Sequence, residues 1–134
     1  MSLNGEYQEA AELRSALRQF MRRSEEIARR HDITPRQYLL LLMIGAKQDE
    51  PEQATITDLV DRLALTQSTV TELVQRAEEA GLVKRRPSET DGRVTYLLLT
   101  PVGSDRLRAA WEEHGPERDR LLEALRTLPA PLNV

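Results

Sequence analysis

The spacing of apolar residues predicts a mainly α-helical chain that carries one β-hairpin. From residue 7 to about residue 31 there is no proline or glycine, and one stripe recurs at steps of three and four residues: Leu13, Ala16, Leu17, Phe20, Met21, Ser24, Ile27, Ala28 and His31. This period is that of a long amphipathic helix. We expect no other segment of so short a chain to cover the stripe, which therefore predicts contact with a second subunit.

Three further helices are predicted before residue 81. Thr34 and Pro35 form a helix start, Gln37 can complete a capping box, and residues 38–44 are apolar on every side, as in a buried central helix. Residues 47–53 follow as a polar, acidic loop. Residues 58–64 predict a short helix and residues 67–80 a longer one, with Thr66 as N-cap and Gly81 as the left-handed end.

Beyond Gly81 the apolar period changes from helical to alternating. Residues 82–86 and 93–99 predict two strands, and the Asp91-Gly92 turn between them is a strong hairpin signal. Thr100 and Pro101 then start a helix that runs to about residue 113. Gly115-Pro116 is expected to interrupt it, and a last helix is predicted over residues 117–128.

Composition excludes several classes of function. The 134 residues suffice for one domain, and 40% hydrophobic with 31% charged residues indicates a folded chain. Without cysteine there can be no disulfide, thiolate metal site or cysteine catalysis. One Trp, three Tyr and one Phe are too few for a base-stacking platform. The longest apolar run, 38–46, is too short to span a bilayer, so we expect a cytoplasmic protein without a membrane partner.

Positive charge is local rather than global. The formal net charge is −3, and residues 47–62 alone carry a net −3. Residues 84–93 carry a net +2, because Lys84, Arg85, Arg86 and Arg93 outnumber Glu89 and Asp91. A short basic element suffices to contact a nucleic-acid groove, because the attraction to phosphate is local.

The helices at 58–64 and 67–80 predict a helix-turn-helix. Apolar residues occupy its inner positions, and the outward face of the second helix carries groove-compatible side chains: Gln67, Ser68, Thr69, Thr71, Glu72, Gln75 and Arg76. Gln can pair with adenine and Arg with guanine, while Ser and Thr suit phosphates. The alternative interpretation is an ordinary surface αα-hairpin.

A basic hairpin that directly follows a helix-turn-helix predicts a winged helix. Lys84, Arg85 and Arg86 are the candidate backbone contacts, and Arg93 is the candidate minor-groove probe, with Asp91 orienting it. The alternative is a solubilising charged turn. A winged-helix protein-interaction module without DNA binding is the second functional hypothesis.

Residues 57–103 resemble the MarR (multiple antibiotic resistance regulator) family of winged-helix transcription regulators. The resemblance rests on 59–63 (LVDRL), 68–71 (STVT), 81–85 (GLVKR), 91–93 (DGR) and 99–103 (LTPVG). It implies a single domain over 1–134, with a winged helix at 34–100 and dimerisation helices at 6–33 and 101–128. It further implies a homodimer on pseudo-palindromic double-stranded DNA, usually a repressor released by a small ligand. Ala64 departs from the glycine that is usual in the turn.

No residue pattern indicates an enzyme or a resident cofactor. Carboxylate pairs such as Glu25-Glu26 do not converge on a helix, and no glycine-rich phosphate loop is present. His31 and His114 lie at predicted helix ends that could meet across a dimer, but no ligand spacing supports a metal site. The resemblance implies an aromatic or phenolic effector, for which the candidate residues are Phe20, Ser24, Tyr38 and Trp111; each is alternatively a core residue.

Overall fold

The helices and the hairpin follow one another in the predicted order. The computed structural model describes residues 2–126, which form α1 (Leu3–Arg30), α2 (Pro35–Gly45), α3 (Ile56–Leu63), α4 (Gln67–Glu79), β1 (Val83–Pro87), β2 (Thr95–Leu99), α5 (Pro101–Glu113) and α6 (Gly115–Arg126). The strands are antiparallel, with Val83 opposite Leu99 and Pro87 opposite Thr95. The predicted fold class, a winged helix-turn-helix flanked by terminal helices, is confirmed.

Helix α2 is the centre of the core. Thr34 and Gln37 form the predicted capping box, and Leu40, Leu41 and Ile44 are fully buried. The helix packs against α1, α3, α4, α5 and β2. The winged helix is therefore built around the same helix that meets α1 and α5.

The helix-turn-helix has well-formed caps. Helix α3 begins before the predicted Asp58, because the Thr55 hydroxyl accepts the Asp58 N–H and the Asp58 carboxylate accepts the Thr55 N–H. Ala64 ends α3 in the left-handed conformation at φ 54°, at the position where glycine is usual. Thr66 caps α4 as predicted, and Gly81 follows α4 at φ 76°.

The hairpin differs from its prediction at the tip and on one side. Strand β2 begins at Thr95 rather than residue 93, because the Val94 N–H donates to the Asp91 carbonyl and closes a turn. The loop after α2 also joins the sheet, since Ala54 forms a bridge with Leu97. That contact was not predicted, because a single bridging residue leaves no alternating pattern.

Helix α6 covers part of the apolar stripe of α1. It begins at Gly115, so Gly115-Pro116 opens this helix rather than lying before it, and Arg23 Nε lies 3.2 Å from Glu117 Oε1 across the contact. The expectation that no segment of the chain covers the stripe is therefore wrong near Phe20, which shares a crevice with Leu121. Residues 127–128 of the predicted last helix lie outside the described residues.

Candidate nucleic-acid interface

The outward face of α4 is polar and open to solvent. Six of the seven predicted side chains are exposed: Gln67, Ser68, Thr71, Glu72, Gln75 and Arg76. Thr69 is half-buried, and its hydroxyl accepts a 2.9 Å hydrogen bond from the Thr66 hydroxyl within the N-cap. Val70, Val74 and Ala77 are buried on the opposite face, which fixes the rotation of the helix.

One ion pair lies on the exposed face of α4. Arg76 Nη2 is 2.6 Å from Glu72 Oε1, one helical turn away, and both side chains are more than half exposed. Exposed pairs of this kind contribute little to stability. The Arg76 guanidinium can therefore leave Glu72 for a base edge or a phosphate at small cost.

Arg93 projects from the tip of the hairpin. Its side chain is 92% exposed, and the Asp91 carboxylate accepts hydrogen bonds from the Arg93 N–H at 3.0 Å and from its Nε at 3.3 Å. These two bonds hold the pKa of Asp91 below its usual value. The predicted contact between the two residues is confirmed; its role on DNA stays a prediction.

The other basic residues of the hairpin differ in their partners. Arg85 Nε is 2.8 Å from Glu78 of α4. Arg86 donates to the Gln53 side-chain oxygen at 2.6 and 3.2 Å, and its guanidinium lies 5.2 Å from the Tyr96 ring centre. Lys84 is exposed. The basic residues that lie together in the sequence thus differ in their contacts: Arg85 bonds to a nearby residue of α4, Arg86 to a residue 33 positions away, and Lys84 is exposed.

A groove connects α4 with the hairpin. Thr57, Gln67, Arg85 and Arg93 are among the residues that line a cavity of about 340 Å³ between the starts of α3 and α4 and the two strands. The first exposed residue of α4 and the arginine at the hairpin tip therefore border one concave surface.

The four effector candidates do not form one pocket. The Phe20 ring centre lies 4.3 Å from that of His114, and the Tyr38 ring centre lies 6.4 Å from it. Ser24 is half-buried on α1. Trp111 stacks under Arg118, with 3.4 Å between the guanidinium carbon and the ring centre. Trp111 lines a cavity of about 480 Å³ between α2 and α5, whereas Phe20 lines the crevice beside α6.

His114 is a buried residue that the sequence did not single out as core. It is 2% exposed, and its Nε2 lies 3.2 Å from the Phe20 carbonyl oxygen. Burial lowers the pKa of His114, which outweighs the opposing effect of the Phe20 carbonyl. Burial also raises the pKa of Tyr38 beside it. This cluster joins α1, α2 and the end of α5.

The ends of α1 and α5 meet within one chain. His31 Nε2 lies 3.2 Å from Glu113 Oε1, next to His114, so this approach does not need a dimer. Residues 2–126 contain no group of three or more side chains suited to hold a metal ion. Over the same residues, no helix is long and apolar enough to cross a membrane.

The fold and the exposed groove define a winged-helix protein, and comparison with known proteins shows which family it resembles. Residues 31–94 match the model of the MarR family. This match confirms the resemblance to the MarR family of transcription regulators.

Curated relatives agree with this assignment. The chain is 28% identical over 96 residues to the HTH-type transcriptional regulator MhqR of Bacillus subtilis, a match over 72% of this chain and 63% of that protein. It is 36% identical over 73 residues to the organic hydroperoxide resistance transcriptional regulator of the same organism, over 54% and 47% of the two chains. The chain spans about half the length of the curated relatives it matches.

Solved structures share the fold. The MarR family transcription regulator SP03579 has a TM-score of 0.74 at 23% identity, over 90% of this chain and 77% of that one. A complex of Staphylococcus aureus MepR with DNA has a TM-score of 0.68 at 22% identity, over 85% and 82% of the two chains.

Proposed function

We propose that this protein is a homodimeric transcription regulator that binds double-stranded DNA sequence-specifically and represses from a pseudo-palindromic operator. The main support is that the start of α4 and the hairpin tip border one concave surface, and that the arginine at this tip is exposed. A helix of this width fits the major groove, and an arginine suits the negative potential of a narrow minor groove.

The candidate side chains divide into those suited to contact base edges and those suited to contact the DNA phosphates. Gln67, Gln75 and Arg76 carry the donors and acceptors that base edges require. Ser68, Thr71, Lys84 and Arg85 are suited to phosphates. Thr69, Glu72 and Arg86 act through their neighbours. Thr69 and Arg86 are half-buried and bond to Thr66 and Gln53, and Glu72 is an anion that pairs with Arg76.

Exposed apolar side chains on the terminal helices support the homodimer. Leu17 and Met21 of α1 are 38% and 57% exposed although α6 covers the adjacent face. Leu122 and Leu125 of α6 are 44% and 43% exposed. A two-fold dimer through these helices presents two copies of α4, which is why the operator is expected to contain inverted half-sites.

The cavity between α2 and α5 is the proposed site for a small aromatic acid that releases the DNA. Trp111 offers a ring for stacking, Arg108 a cation for a carboxylate and Ser104 a hydroxyl. Hydroxybenzoate should weaken DNA binding by the parent protein and not by an Arg108→Ala variant. Equal weakening of both would remove this cavity from the proposal.

Sequencing the DNA that the purified protein retains tests the main proposal. Sheared genomic DNA from the source organism is offered at physiological salt, because retention in low salt would include non-specific phosphate binding. The expected result is a few discrete fragments that share an inverted repeat. Arg36→Ala, which removes an exposed arginine at the start of α2, is the control for a change of charge alone. Uniform recovery or no retention would favour the protein-interaction module.

A further inference from the structure

The end of α4 and the start of α5 are joined through one hydroxyl group. Thr100, the N-cap of α5, donates from Oγ1 to the Gly81 carbonyl oxygen at 2.6 Å, and the same oxygen accepts the Gly103 N–H at 3.0 Å. The Thr100 N–H also donates to the Leu82 carbonyl oxygen at 3.0 Å. The Thr100 side chain therefore bonds both to the Gly81 carbonyl, just beyond the end of α4, and to the first turn of α5.

The first turn of α5 approaches the segment after α4 so closely that only glycine fits at residue 103. A Cβ atom on Gly103 would lie 2.0 Å from the Leu82 carbonyl oxygen and 2.9 Å from its carbonyl carbon. Both are backbone atoms of a fully buried residue, so they cannot move aside as a flexible side chain could. Glycine is unfavourable inside a helix by about 0.5–1 kcal/mol relative to alanine, so its presence here serves the close approach.

The segment on the α4 side of this contact is itself fixed. Gly81 adopts φ 76°, and the Leu82 N–H donates to the Ala77 carbonyl oxygen at 2.9 Å, which closes the end of α4. The backbone thus passes from α4 to Leu82 in a defined conformation and is held there by the first turn of α5. Two further links join the helices: packing through α2, which contacts both, and packing through the hairpin, whose β1 contacts α4 and whose β2 contacts α5.

We infer that Thr100 and Gly103 are positioning residues for DNA binding, which set the orientation of α4 relative to the terminal helices. This inference rests on the proposed homodimer. In that dimer the orientation fixes the distance between the two recognition helices. One base pair moves a half-site by about 3.4 Å along the duplex and turns it by about 35°, so this distance determines which half-site spacing is preferred.

Three substitutions at residue 100 separate the bridge from the helix cap. Thr100→Ser keeps both hydrogen bonds. Thr100→Asp keeps the cap, because a carboxylate accepts the Gly103 N–H, but it cannot donate to the Gly81 carbonyl. Thr100→Val removes both. Gly103→Ala is the steric counterpart, and the Thr100 series keeps the inference testable if that variant does not fold.

The distance between the two recognition helices can be measured directly. The chain contains no cysteine, so Glu79→Cys at the exposed end of α4 accepts one nitroxide label per chain. Pulsed electron spin resonance should give a narrow distance distribution for the parent and for Thr100→Ser. Broader distributions are expected for Thr100→Asp and Thr100→Val, even at temperatures where circular dichroism shows all four proteins folded.

Spacing selectivity gives the functional readout. The probes are the duplex that the parent protein selects from a random library and two derivatives with one base pair inserted or removed at its centre. The parent is expected to lose about tenfold or more in affinity on the derivatives, comparable to the loss from a mismatched base pair. Thr100→Asp and Thr100→Val should lose most of this discrimination, whereas Thr100→Ser should keep it.

The outcomes distinguish a failure of the proposed function from a failure of the inference about Thr100 and Gly103. A parent protein without dipolar coupling between labels, or one that selects no duplex, would overturn the proposed function and this inference with it. The inference alone would be overturned by a different result: the parent shows dipolar coupling and selects DNA, but Thr100→Asp has as narrow a distance distribution and as strong a spacing selectivity as Thr100→Ser. The orientation of α4 would then be assigned to its packing on α2 and the hairpin.

Discussion

The paired strands and the tip of the β-hairpin each carry an arginine, but the two side chains have different surroundings. On β1, Arg86 is half-buried, donates twice to Gln53 and lies over Tyr96. At the tip, Arg93 is 92% exposed and contacts Asp91, two residues away. The strand contact ties the hairpin to the loop before α3, whereas the tip contact orients a side chain that buries little surface.

This difference separates a contribution to stability from a contribution to binding. Removing a half-buried cation leaves its partners without their hydrogen bonds, so the folded state loses free energy. Removing an exposed cation changes little in the fold, because surface substitutions usually stay within about 0.5 kcal/mol. We therefore expect the surroundings of each arginine, rather than its residue type, to decide whether it serves stability or DNA binding.

Arg93→Ala should produce the largest effect, and on DNA affinity alone. A groove contact is worth about 1–3 kcal/mol, so we expect about a tenfold or greater increase in Kd per half-site. The increase should be larger where A·T-rich flanks narrow the minor groove. The measurement is operator affinity beside thermal unfolding of the free protein.

The matched control for this variant is Arg36→Ala, which removes an equally charged exposed residue at the start of α2. It should leave affinity nearly unchanged. An equal loss in both variants would attribute the effect to net charge. If Arg93→Ala lost thermal stability, the tip arginine would be assigned a role in stabilising the fold, as expected for Arg86.

Arg86→Ala should reverse the pattern, with lost stability and little direct effect on DNA. Hydrogen bonds that involve a charged group contribute about 1.5–3 kcal/mol when buried, and this one is half-exposed, so we expect a loss of about 1–2 kcal/mol in the free energy of unfolding. Urea denaturation measures it. Gln53→Ala should lose a similar amount, and the double variant should lose less than the sum.

Salt dependence decides whether Arg86 also touches phosphate. A residue that contacts phosphate lowers the salt slope of binding by about one when it is removed. We expect Arg86→Ala to keep the parent slope and Lys84→Ala to reduce it. A reduced salt slope for Arg86→Ala would instead indicate that Arg86 contacts the DNA backbone, as the sequence predicts.

The sequence was sufficient to predict what local chemistry determines. Helix starts at Thr34, Thr66 and Thr100, the left-handed Gly81 and the pairing of Asp91 with Arg93 involve residues at most a few positions apart, and all are present. The order of the elements followed from the change in apolar period. These features need no knowledge of the tertiary fold.

Contacts between distant residues could not be predicted in the same way. Gln53 and Arg86 are 33 positions apart, and neither carries a pattern that names the other. His114 is buried because α6 turns back onto α1, a packing that the Gly115-Pro116 signal did not reveal. The contact of Gly103 with the Leu82 backbone requires the two helices to be in place.

Asp91→Ala should have a smaller effect than Arg93→Ala. The carboxylate holds the Arg93 backbone and side chain but is not itself expected to touch DNA, so losing it frees the arginine without removing it. A several-fold loss of affinity is expected, against about tenfold or more for the loss of a groove contact itself. Double-mutant analysis should show that Asp91→Ala has no further effect once Arg93 is alanine. An additional loss would give Asp91 a role of its own.

Mild acid should leave the tip contact unchanged, which is the smallest effect expected. The Arg93 N–H and guanidinium lower the pKa of Asp91 below its ordinary value of 3.8. A lowered carboxylate pKa means that the contact is fully present above the ordinary value and is lost only as the pH falls through the lowered one. Both lie below pH 5. The ratio of Kd values for Arg93→Ala and parent protein should therefore be constant from pH 8 to about pH 5. Taking the ratio cancels the titration of groups that both proteins share, such as His114. A ratio that falls towards one over this range would show that the orientation of Arg93 depends on a group other than Asp91.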